Sequence, residues 1–132
     1  MDVTKVQLLY GEITEKIIGC AFEVHNTLGK GLNEKTYENA LLLKFRKLGL
    51  AAEQQKALPV FFESQKVGDQ VVDILVDNKI IIELKNSDHL QKSHLSQLLG
   101  YLKNTQYQLG ILLNFGRKVE FRSLIHTSRN KT

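Results

Sequence analysis

The run Lys79-Ile80-Ile81-Ile82, closed by Glu83-Leu84-Lys85, constrains this chain more than any other stretch. An unbroken β-branched run of this length reads as a buried strand. Side chains alternate along a strand, so Glu83 and Lys85 project together while Leu84 turns into the core. Asp73 lies ten positions upstream of Glu83 on a second run of the same character, 70–76. An acid, a cation and a second acid then converge at a sheet surface. Metal-assisted cleavage of a phosphodiester needs that set: carboxylates to hold Mg²⁺, and a positive group near the attacking water or the developing phosphorane charge.

Convergence of the two acids sets a condition on the turn between the strands. With Asp77-Asn78 alone as a two-residue loop, Val76 pairs with Lys79 and Glu83 points away from Asp73. A shared metal therefore predicts a three-residue connection, Asp77-Asn78-Lys79, or a bulge, which sets Asp73 opposite Glu83. Val71, Asp73, Leu75, Ile81, Glu83 and Lys85 then share one face. Val72, Ile74, Val76, Ile80, Ile82 and Leu84 form the other, wholly apolar and in need of a covering helix.

Helices precede these strands. Ile13, Ile17, Ala21, Val24 and Leu28 recur at spacings of four and three, the mark of a long amphipathic helix ending at Gly29-Lys30-Gly31. A second helix follows, with Asn33 as N-cap and Glu34 in the first turn, through Tyr37, Ala40, Leu41, Phe45 and Leu48 to Gly49. Strands are expected over 57–62, 70–76 and 79–85, the first at a sheet edge because of Pro59, with polar turns over 63–69 and 77–78. A third helix over 89–104 turns Leu95, Leu98, Leu99 and Leu102 inward, and strands over 108–114 and 118–125 complete an order ααβββαββ. One domain is expected across 1–132.

Composition narrows the setting without selecting an activity. The chain of 132 residues is 42% apolar and 24% charged, ordinary for a globular protein able to bury one core. Cys20 stands alone, so neither a disulfide nor a zinc cluster is in prospect, and a reducing cytoplasm with Cys20 as an inert core thiol is expected. No apolar run approaches membrane-span length and the N-terminus lacks a secretory pattern. Net charge is +4, matched by a basic C-terminal tail from about 117 to 132 carrying Arg117, Lys118, Arg122, Arg129 and Lys131 against Glu120. Such a tail either attracts a phosphate backbone or simply aids solubility.

On the third helix His94, Gln97 and Tyr101 fall at i, i+3 and i+7, a polar edge beside the leucine stripe. Gln97 and Tyr101 there either hydrogen-bond a phosphate, orient Lys85, or merely separate core from solvent. Glu34 and Glu38 lie one turn apart on the second helix, and either could lean toward the metal. Glu34 could equally serve the helix dipole, and Glu38 could be a solvated charge.

Several ordered blocks carry a family resemblance: Val24-His25-Asn26-x-Leu28-Gly29, Gly31-x-x-Glu34-x-x-Tyr37, Asp73 with Glu83-x-Lys85, Gln97-x-x-x-Tyr101, and 110–116. From about Ile13 to Phe121 the chain resembles the GxxExxY (GxxExxR) proteins of the PD-(D/E)XK nuclease superfamily. That resemblance implies a restriction-endonuclease-like α/β (α+β) core, a mixed sheet flanked by helices. It implies that Asp73, Glu83 and the Leu84 main-chain carbonyl bind Mg²⁺, or Mn²⁺ in its place, with Glu34 completing the acidic set. Lys85 would position or activate the water, and Gln97 and Tyr101 match the helix motif of related nucleases. Val72 stands where the superfamily's name has a proline. The implied substrate is nucleic acid, DNA first, with a homodimer or partner protein adding surface to a bare core. The competing expectation is a catalytically idle binding module on the same scaffold, and a third is a structural ion-pair cluster.

Overall fold

The isoleucine run forms the central strand of a five-stranded sheet, buried on both faces as its composition requires. A computed structural model describes residues 3–127, with side chains from Tyr10 onward. Along the chain come α1 (Val3–Leu28), α2 (Glu34–Lys47), β1 (Ala52–Phe62), β2 (Gln65–Val76), β3 (Ile80–Lys85), α3 (Lys92–Lys103), β4 (Leu109–Phe115) and β5 (Val119–Ile125). The strands lie side by side in that order, with β3 and β4 parallel and every other neighbouring pair antiparallel. The connection through α3 supplies the crossover that a parallel pair needs.

Each face of the sheet carries its own core. On one, Ile74, Val76, Ile80, Ile82, Leu84, Ile111 and Leu113 pack against Ile17, Ala21 and Val24 of α1 and Tyr37, Leu41 and Phe45 of α2. On the other, Leu75, Ile81 and Leu112 meet Leu98 and Leu102 of α3. Both sides of β3 are thereby dry, and its rank of aliphatic side chains drives much of the burial.

The β2–β3 register pairs Ile74 with Ile82, Leu75 with Ile81 and Val76 with Ile80, leaving Asp77-Asn78-Lys79 as the three-residue connection. Asp77 and Asn78 both take left-handed backbone at φ 52°, which short polar side chains tolerate, and the Lys79 N–H donates to the Val76 carbonyl at 3.0 Å. Extending the pairing one step sets Asp73 across from Glu83.

Several boundaries and one face differ from the sequence expectation. The β1–β2 hairpin is much longer, closing on Glu63 and Ser64 rather than on a loop over 63–69. Its polar positions are held by ladder hydrogen bonds, which leave no hydrophobic pattern to read. Val72 does not join Ile74 on the α1–α2 side; it packs with Leu58, Leu75 and Ile81 on the α3 side. The cause is an interruption at Gln55 and Asp73, which drop out of the β1–β2 ladder while the register continues on either side. Helix α3 begins at Lys92 rather than 89, and the Gln91 N–H donates to Nδ1 of His94 at 3.1 Å, so His94 serves the helix start. Of the basic C-terminal stretch, Arg122 lies on β5 and Arg117 and Lys118 in the turn before it; Arg129 and Lys131 lie outside the described residues.

The segment after β3 is pinned by Asn114, which is fully buried in β4. Its side chain accepts from the Ser87 N–H (2.9 Å) and donates to the Ser87 carbonyl (2.8 Å) and to Glu120 (3.2 Å). Gly116 lies so close that a Cβ there would sit 2.3 Å from the Ser87 carbonyl oxygen, which the Asn114 clamp holds in place. Gly116→Ala is therefore expected to destabilise the protein by at least about 2 kcal/mol, lowering the thermal midpoint by roughly 8 °C. A melting curve by circular dichroism checks this.

Candidate active site

Past the Ile74–Ile82 pair the β2–β3 ladder stops, and side chains take over its hydrogen bonds. The Asp73 N–H donates to Glu83 Oε1 at 3.0 Å, and the Leu84 N–H donates to Asp73 Oδ2 at 2.8 Å. Each acid thus satisfies a backbone donor of the neighbouring strand, and the two carboxylates occupy the fork where the strands part. Lys85, one residue on, donates to Oε1 of Gln97 on α3 at 3.0 Å. That bond sets Gln97 against Lys85, the arrangement that orienting the lysine requires. Tyr101, one turn further along α3, has its hydroxyl pKa raised by burial and then by the charges of Glu83 and Asp73.

The loop between α1 and α2 brings Glu34 within electrostatic reach of Asp73, Glu83 and Lys85. Gly29 and Gly31 supply positive φ values of 74° and 95° for the reversal, and the Asn33 side chain accepts from the Thr36 N–H at 2.9 Å to cap α2. The Tyr37 hydroxyl donates to the Gly29 carbonyl (2.6 Å) and accepts from the Leu32 N–H (3.2 Å), while its ring stacks on Phe115 at 4.7 Å. Asn86, just beyond Lys85, donates to the Leu32 carbonyl at 2.5 Å. In Gly31-x-x-Glu34-x-x-Tyr37, then, the glycine and tyrosine shape and lock the loop, and the glutamate is left free at its rim.

Electrostatics mark the site as short of positive charge. Glu83, only 5% exposed, has its carboxyl pushed up to about 8, first by burial and then by the nearby Asp73 charge. The Asp73 carboxyl is raised by burial and by Glu38, against the opposing Leu84 N–H bond and Lys85. The Glu34 carboxyl is raised by partial burial and by Asp73, with Lys85 opposing. Groups whose environments disfavour ionisation are characteristic of functional sites.

A divalent cation fits this donor set chemically, since it offers oxygen ligands, excess negative charge and partial desolvation. Among the described residues no three His, Cys, Asp or Glu side chains form a ready-made metal cluster. The bonds from the Asp73 N–H and the Leu84 N–H aim one oxygen of each acid at backbone. Each carboxylate keeps acceptor capacity beyond those bonds.

Behind the acids sit one residue that the sequence left ambiguous, Glu38, and two that it did not single out, Gln54 and Gln55. Glu38 is buried and accepts from Lys35 (2.9 Å), Gln54 (2.5 Å) and Gln55 (2.9 Å); it is neither a solvated charge nor in direct contact with the acid pair. Gln55 also reaches Asp73 Oδ1 at 3.3 Å. The only sequence signal for Glu38 was its position one turn from Glu34, and Gln54 and Gln55 gave none.

Residues 11–124 match the family model of the PD-(D/E)XK nuclease superfamily. The chain belongs to that superfamily. Its mixed five-stranded sheet flanked by helices is accordingly a restriction-endonuclease-like PD-(D/E)XK core. Among solved structures, SSO0001 is similar at 19% identity and a TM-score of 0.48, covering 91% of this chain and 81% of that one. An alkaline exonuclease from Laribacter hongkongensis is similar at 10% identity and a TM-score of 0.46, covering 81% of this chain and 76% of that one. No curated protein matches the sequence. Membership in the PD-(D/E)XK superfamily supports a nuclease-type function on nucleic acid, and its members generally use divalent metals. No helix among the described residues is long and apolar enough to cross a membrane.

Proposed function

We propose that this PD-(D/E)XK protein hydrolyses DNA phosphodiester bonds with Mg²⁺ held by Asp73, Glu83, the Leu84 main-chain carbonyl and Glu34, Mn²⁺ substituting. The observation that carries the reading is the frustrated fork between β2 and β3. There Glu34, Asp73 and Glu83 are each held toward the protonated form by burial and neighbouring acids, with Lys85 opposing in every case. A purely structural ion-pair cluster accounts poorly for this, because one lysine cannot neutralise three partly desolvated acids. A module that only binds nucleic acid likewise has no use for acids gathered where phosphate must approach.

When bound, a divalent cation polarises a nonbridging phosphate oxygen and acidifies a coordinated water. Lys85 brings a compact ammonium to the attacking water or the phosphate, and Gln97 fixes its direction. Tyr101 offers a hydroxyl to a phosphate oxygen from the same edge of α3. Arg117, Lys118 and Arg122 add sequence-independent attraction for the backbone. The way Gly31 and Tyr37 shape the loop that carries Glu34 supports reading the protein as one of the GxxExxY group, and buried, free Cys20, whose thiol pKa is raised by burial, suits a reducing cytoplasm.

Replacing Asp73 by asparagine tests the metal assignment, since it retains an oxygen for the Leu84 N–H while removing the charge. Mn²⁺ affinity measured by calorimetry is expected to fall at least about 100-fold, with cleavage of linear and circular DNA lost. Unchanged Mn²⁺ uptake refutes the ligand assignment. DNA binding by a wild-type chain that cleaves nothing in Mg²⁺ or Mn²⁺ would instead establish the idle module.

A further inference from the structure

Neighbouring side chains on a strand point to opposite faces, yet Gln54 and Gln55 of β1 both reach the single carboxylate of Glu38 on α2. The backbone makes this possible. Gln55 adopts φ 51°, left-handed, in the middle of a strand, and it has no partner in the ladder at the point where Asp73 would face it. Residues with side chains rarely take that conformation and keep it only where their surroundings over-determine it. Here the surroundings are a buried, fixed anion: Glu38 Oε2 takes Lys35 and Gln54, and Oε1 takes Gln55.

The Gln55 amide nitrogen has two hydrogens and two carboxylates to serve. It donates to Glu38 Oε1 at 2.9 Å and to Asp73 Oδ1 at 3.3 Å. With the Leu84 N–H on Oδ2, the Asp73 carboxylate is then held at both oxygens. We infer that Gln55 is a positioning residue for Asp73, its amide anchored by Glu38 so that the carboxylate is pre-set for the cation. This rests on the metal-site reading above. Glu38 contributes as the anchor, one step removed from the reacting groups, and the left-handed kink is what lets one amide span both acids.

Gln55→Gly separates positioning from folding, because glycine takes φ 51° freely while the amide is lost. Its thermal midpoint is expected to stay within a few degrees of the wild-type value, relief of the left-handed strain offsetting the donor lost from Glu38 Oε1. Mn²⁺ affinity by calorimetry should fall about tenfold, and kcat should drop severalfold with KM for DNA within twofold. Gln55→Asn, which tolerates the same backbone but is one methylene too short to bridge, should show the same pattern. Mn²⁺ affinity and kcat within twofold of wild type in both variants overturn the inference. If Asp73→Asn abolishes Mn²⁺ uptake in that same experiment, the metal assignment survives and only the role of Gln55 falls; if Asp73→Asn leaves uptake unchanged, both fall together.

Discussion

Truncating Lys85 to alanine is expected to lower the cleavage rate about 10³-fold while nucleic-acid affinity at fixed salt stays within about fivefold. The asymmetry follows from where the ammonium sits. Lys85 ends β3, whose preceding residue, Leu84, is fully buried against α1 and α2, and it pairs in the parallel ladder with Asn114. Gln97 fixes the amine from α3. The charge is thus delivered to one spot beside Asp73 and Glu83, and the proposed role has it act on a transition state rather than along a groove. A loss of that size corresponds to about 4 kcal/mol of barrier. In the proposed complex ground-state binding would draw on many phosphate contacts, of which this lysine would be one, so removing it should reduce the salt slope by about one. Lys85→Arg should not restore activity, since a guanidinium extends further and does not shed its proton. Cleavage rates compared with anisotropy binding in chelator decide the matter, and equal losses in both count against the role.

What could be read from the sequence followed from period and from charge. The isoleucine run and Leu98 and Leu102 of α3 announce their burial directly, whereas Leu99, expected to turn inward with them, is 44% exposed on the outer side of the helix. The β2–β3 connection was legible for a subtler reason: two acids required on one face leave only an odd-length loop or a bulge, and Asp77-Asn78-Lys79 meets the condition. The α1–α2 loop was legible from its glycines, though the part played by the Tyr37 hydroxyl in closing it depends on tertiary contacts. The kink at Gln55 was not legible, because no glycine or proline marks it. It arises from a carboxylate 17 residues earlier in the chain, and it carries with it the unexpected placement of Val72 on the α3 side. Glu38 was ambiguous for a related reason. Helical periodicity puts it beside Glu34 but does not say that two glutamines from a strand will cover it. The distal hairpin escaped because an exposed two-stranded ribbon is held by backbone bonds, to which apolar patterning is blind.

Glu83 ties the stability of the protein to pH in a direction opposite to that of most carboxylates. Its pKa is raised in the folded protein to about 8, from an ordinary value of 4.5. Between those values the unfolded chain has released the proton and the folded chain retains it, so the folded state binds more protons and stability falls as pH rises. The loss is complete above about pH 8 and absent below about pH 4. Its full size for this one group is on the order of 5 kcal/mol, with Asp73 and Glu34 acting in the same direction. Glu83→Gln keeps an oxygen for the Asp73 N–H and never ionises. In chelator it should match wild type near pH 4.5, exceed it by several kcal/mol at pH 8.5, and cleave nothing. Denaturant melts across that range measure the divergence, and parallel curves refute the assignment. Mn²⁺ should close the gap from the wild-type side, because a cation at the fork favours the ionised acid. The thermal shift it produces should therefore grow with pH for wild type and stay small for Glu83→Gln.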